Sequence, residues 1–140
     1  MFSRLAMATA GAVFMFAAQH AAAADFPNLV GEWKSKTSPV HVGSTGHATP
    51  QGEGVNFTAE FDITFNVTDQ KGNDFAGSVV TKNRTEPFVG SIREDKGEGV
   101  MVDEDGNYEF KLIDANTIDL CYWHITSQSR VTTCLVLKRT

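Results

Sequence analysis

From residue 55 to residue 67 the chain alternates without a break. Val55, Phe57, Ala59, Phe61, Ile63, Phe65 and Val67 are apolar or small, and Asn56, Thr58, Glu60, Asp62, Thr64 and Asn66 are polar. A period of two is the mark of an extended strand with one dry face and one wet face. Such a strand is not stable alone, so the rest of the chain must cover its dry face. Runs rich in β-branched and aromatic residues recur at 29–36, 75–82, 88–93, 99–102, 108–112, 117–125 and 130–138, separated by short stretches of Asp, Asn and Gly such as 69–74 and 103–107. Those separators have hairpin-turn chemistry, and no segment after residue 24 carries a helical period. Eight strands joined by tight turns predict an all-β, antiparallel up-and-down fold. Closing it into an eight-stranded barrel removes the exposed edges. One connection is long: 37–54 holds Pro39, Gly43, Gly46, Pro50, Gly52 and Gly54 and reads as a flap over one barrel end.

The two cysteines test this register. If 126–129 is the loop of the last hairpin, Ile125 faces Arg130 and Cys121 falls directly opposite Cys134. Opposed residues on antiparallel strands lie within disulfide reach, so a Cys121–Cys134 bond is predicted as a structural staple. The same register sorts the hairpin into two faces. Ile118, Leu120, Tyr122, His124, Val131, Thr133, Leu135 and Leu137 share the more apolar one, which should point inward. Cys121, Trp123, Arg130 and Cys134 share the other.

A disulfide needs an oxidising compartment. The N-terminus supplies a route: Arg4, an apolar stretch over 5–18, then Ala21, Ala22, Ala23 and Ala24 before Asp25. That order reads as a signal peptide over 1–24, too short for a membrane span, which leaves a single domain at 25–140, periplasmic or secreted. No cysteine lies near the cleavage point to carry a lipid, so no membrane anchor is expected. Removing 1–24 takes away one Arg and no acid, giving a net charge of −6. Nucleic acid is therefore an unsuitable partner.

The segment Asn28-Leu29-Val30-Gly31-Glu32-Trp33 resembles the Gly-x-Trp opening of the calycins, eight-stranded barrels that include lipocalins, avidins and bacterial secreted protease inhibitors. The resemblance implies that Trp33 closes one end of the core and packs against a basic residue of the last strand, Arg139 or Lys138. It also implies either a small ligand inside the barrel or an enzyme bound outside it. The tryptophan set with which avidins hold biotin is missing, since only Trp33 and Trp123 are present.

Few residues offer chemistry. Tyr122, His124 and Thr133, on the inward face, are candidate ligand contacts, with Trp33 lining or closing the same site. Trp123 and Arg130, on the outward face beside the disulfide, are a candidate surface for self-association or for a partner. Sequence pairs His only with flap serine, in His41, Ser44 and His47, with no Asp placed to orient the imidazole, so no catalytic residues are assigned. Asp103-Glu104-Asp105-Gly106 lacks the distal ligands of a calcium loop and reads as a hairpin turn. No metal and no cofactor are expected. The leading expectation is a non-enzymatic binding protein for a small, largely apolar ligand. The alternative is an inhibitor or interaction module acting on a secreted protease or other envelope enzyme through its surface.

Overall fold

The structure, a computed structural model, describes residues 25–43 and 54–140. The predicted signal peptide and the centre of the flap, with Ser44 and His47, lie outside the described residues. Ten strands follow one another: β1 (Gly31–Thr37), β2 (Val40–Val42), β3 (Val55–Phe57), β4 (Phe61–Lys71), β5 (Asp74–Val80), β6 (Thr85–Ile92), β7 (Glu98–Val102), β8 (Asn107–Asp114), β9 (Thr117–Ile125) and β10 (Arg130–Arg139). Among the described residues there is no helix. Eight of the strands, β1 and β4 to β10, form an antiparallel up-and-down barrel closed by β1 against β10.

The 55–67 alternation does not form one strand with all its odd residues inward. Between the pairs Thr37↔Phe61 and Val40↔Phe57, residues 58–60 oppose only 38–39. One extra residue is a β-bulge, and because the side-chain period is two, it flips every side chain beyond it. Phe65 and Val67 are buried as expected, but Asn56 points inward while Val55 and Phe57 stand out in solvent at 64% and 79% exposure. The stretch 37–54 is likewise not simply a flap. Its first residues form β2, which runs along β10 in the register of the β1–β10 pair, and His41 is buried rather than solvated.

Other differences are local. Strand β6 begins before Pro87 because Pro87 pairs only with Ser78 of β5, β7 meeting β6 first at Val89, so no ladder bond across that edge is lost. The final hairpin has its predicted register, Ile125 against Arg130 and Cys121 against Cys134, and the disulfide joins Cα atoms 4.0 Å apart.

Aromatic rings fill the barrel by lying over inward-facing glycines. A Cβ on Gly90 would come within 2.4 Å of Phe75 Cζ, and one on Gly99 within 2.2 Å of Phe110 Cζ. Phe65, Phe75, Phe88, Phe110 and Tyr108 then meet edge-on or tilted, with centroids 5.7–6.2 Å apart. Trp33 plugs one end: it is 1% exposed, its Nε1–H donates to Leu29 O at 2.8 Å, and the Arg139 guanidinium sits 4.1 Å over its ring. Arg139 also donates to Val30 O and Asn28 O, pinning the N-terminal segment across this end. Gly31 has φ +139°, a conformation closed to other residues, which accounts for glycine two positions before the tryptophan.

Candidate functional site

The end opposite Trp33 is the chemically varied one. Here the turns 81–84, 103–106 and 126–129 come together with β2 and β3. Register explains the gathering: Tyr108 pairs with Tyr122, Tyr122 with Thr133 and His124 with Val131, so one inward row crosses three strands. Tyr122, His124 and Thr133 line one small cavity with Thr37, Phe61 and Ile63. Trp33 does not join them. It opens β1 and therefore faces the far end of the core, where it belongs to the packing and not to this cavity.

The cavity measures about 40 Å³. That is room for two or three waters, whereas pockets for drug-sized ligands run to about 300–1,000 Å³.

A continuous hydrogen-bond chain closes the mouth. Ser129 Oγ lies 2.8 Å from His124 Nε2, His124 Nδ1 lies 2.8 Å from the Tyr122 hydroxyl, and that hydroxyl donates to Asp105 Oδ1 at 3.0 Å. Every member is satisfied with a neutral imidazole when Ser129 donates to Nε2 and Nδ1–H donates to Tyr122. Thr126 Oγ1 extends the chain to Ser129 at 3.0 Å and accepts the Ser129 N–H at 2.9 Å. Serine, histidine and aspartate are thus neighbours, which the sequence reading missed. Extending the hairpin register from Asn107↔Trp123 puts Gly106 opposite His124 and Asp105 opposite Ile125, so the register alone does not signal this contact. Ser129 is 7% exposed and shares its hydroxyl with Thr126, and Asp105 stands 3.7 Å from Nδ1 with Tyr122 interposed.

Beside this chain lies an acidic group. Glu86, Asp103 and Asp105 bring carboxylate oxygens within 4.8 Å of one another. Arg84 holds it together, paired with the buried Glu86, with Glu104 at 2.8 Å and with Asp105 at 3.8 Å. Burial opposes the Arg84 charge, yet these carboxylates outweigh it and raise its pKa. Asp103 accepts the N–H groups of Asp105 and Gly106 and the Tyr108 hydroxyl, so 103–106 is a hairpin turn. Burial first, and then Asp103, push the Tyr108 pKa up, and burial with Asp103 and Asp105 does the same to Tyr122. Both phenols stay protonated as donors.

The outward face carries a second feature. Cross-strand rows run Trp123–Thr132–Val40–Phe57 and Ile125–Arg130–Val42–Val55. Ile125 is 76% exposed, Arg130 is exposed, and Trp123 is half-buried. Trp123 and Arg130 thus share an apolar band that the sequence reading had only begun to trace, because the bulge hid the outward turn of Val55 and Phe57.

No protein-family model matches the chain, and no curated protein matches its sequence.

Proposed function

We propose that this protein is an exported interaction module of calycin type, in which the barrel is a filled scaffold and the outward band of Trp123, Ile125, Val40 and Val42 meets an envelope or secreted enzyme. The carrying observation is the contrast between an interior void of about 40 Å³ and an outward apolar band in which exposed Ile125 is flanked by half-buried Trp123, Val40 and Val42. Monomeric soluble proteins rarely leave such side chains clustered outside without a use for them. The disulfide is consistent with an extracytoplasmic setting, where such a target would be met.

The test is binding and inhibition by the 25–140 protein against a panel of secreted proteases. Inhibition of one of them, weakened at least about tenfold by Ile125→Lys with an unchanged melting temperature, is the expected result. Equal inhibition by wild type and Ile125→Lys, or none across the panel, counts against the reading.

A second reading places a small ligand among Tyr122, His124 and Thr133. Convergence of a phenol, an imidazole and a hydroxyl on one void favours it. It requires Phe61 and Ile63 to move, and native mass spectrometry of protein purified from its own compartment would reveal a copurified mass.

A further inference from the structure

Among the described residues, strand β3 pairs with β2 on one side and with no strand on the other. Thr58 N–H donates to Pro39 O at 3.0 Å in the β2–β3 register. In an antiparallel ladder, paired and unpaired positions alternate. Asn56 and Thr58 therefore bond toward β2, and the N–H and C=O groups of Val55 and Phe57 point away from it, along an edge that no described strand covers. The side chains of these two residues are the exposed apolar pair left by the bulge.

We infer that this edge pairs with the same edge of a second copy, antiparallel about a two-fold axis through Asn56. The inference does not depend on an enzyme being the partner, and it concerns Val55 and Phe57 rather than Trp123 and Ile125. Two observations select a second copy as the occupant. The edge is self-complementary: with Asn56 opposite Asn56, Phe57 of one copy faces Val55 of the other, and outward donors and acceptors meet in four hydrogen bonds. Asn56 turns its side chain inward, so it does not obstruct the axis.

The second observation is charge. The chain carries a net −5, yet 54–59 reads Gly-Val-Asn-Phe-Thr-Ala, with no charged residue. The edge is short and ends at the bulge, but it carries no Lys, Pro or inward charge to oppose pairing. Two acidic molecules can approach here without like charges opposed. Pairing joins the outward rows across the axis, so that Trp123–Thr132–Val40–Phe57 of one copy continues into Val55–Val42–Arg130–Ile125 of the other. A closed isologous dimer uses up both edges and stops there.

Analytical ultracentrifugation of the 25–140 protein from about 1 to about 500 µM, a range suited to an interface this short, tests the pairing. A reversible monomer–dimer equilibrium is expected. Phe57→Lys should weaken dimerisation at least about tenfold, whereas Val136→Lys, also exposed but on β10 away from this edge, should not. Amide exchange gives the register: the Val55 and Phe57 amides should slow as protein concentration rises, and the Asn56 amide, already bonded to β2, should not. A monomer throughout the range overturns the inference. So does a dimer unaffected by Phe57→Lys. Protection of Val55 and Phe57 that appears only when an enzyme partner is added assigns the edge to a foreign strand and also overturns it.

Discussion

At the scale of single residues, the mouth of the barrel is held by groups whose protonation folding fixes. Tyr108 is buried against the Asp103 carboxylate, and both effects favour the neutral phenol. In the unfolded chain it ionises near pH ~10. Above that pH the unfolded state releases a proton that the folded state keeps. The stabilisation is thus complete below the unfolded value and is lost as pH rises, at about 1.4 kcal/mol per pH unit for one phenol. Tyr122 acts in the same direction but more weakly, being partly solvated. Urea unfolding between pH 9 and 11.5 should show this decline, and Tyr108→Phe should flatten it. A slope unchanged in that variant would place the titration elsewhere. The inward orientation of Tyr122, His124 and Thr133 was legible in the sequence because one register governs the whole terminal hairpin. Ser129, Asp105 and Glu86 were not, because Ser129 and Asp105 sit in two different turns and Glu86 in β6, and only the folded barrel brings them to one end.

At the scale of elements, the bulge at 58–60 decides most. Alternation over 55–67 correctly signals extended chain, yet a bulge adds a residue without leaving a compositional trace, so phase beyond it could not be read. The hairpin of β9 and β10 is the opposite case. Its loop length fixes its register, and the cysteines report on it. The disulfide closes a sequence separation of 13 residues. Constraining the unfolded chain over that loop contributes about 3 kcal/mol. Cys121→Ser with Cys134→Ser should lower stability by that amount in denaturant titration while leaving the Trp33 environment native, as read by its near-ultraviolet signal. Collapse of that signal would mean that the staple holds the barrel shut and does more than tie one hairpin.

At the scale of the whole molecule, the barrel is closed unevenly. Strand β10 pairs with β9 at nine positions, but with β1 only at Trp33↔Arg139 and Lys34↔Lys138, and with β2 only at three further along. Between those contacts, 35–39 and 133–137 run side by side without ladder pairing, linked by the Thr37 and Thr133 hydroxyls at 2.9 Å. The 40 Å³ cavity lies directly behind this gap, bounded by Thr37, Pro39 and Thr133. Eight-strand closure was legible because strands without a closed partner are costly. The position of the gap was not, since pairing with β10 stops after Lys34 and resumes in the same register only at Val40, past Pro39. Few backbone bonds across a segment mean a low local cost of opening. Native-state hydrogen exchange should therefore find amides of 35–37 and 133–137 that point into the gap exchanging at least about tenfold faster than those joining β9 to β8, equivalent to about 1.4 kcal/mol of local stability. Joining Thr37 to Thr133 by a cysteine pair should erase that difference. If the gap amides exchange no faster than the rest, the barrel opens only by global unfolding, and anything larger than water would have no local route to Tyr122 and His124.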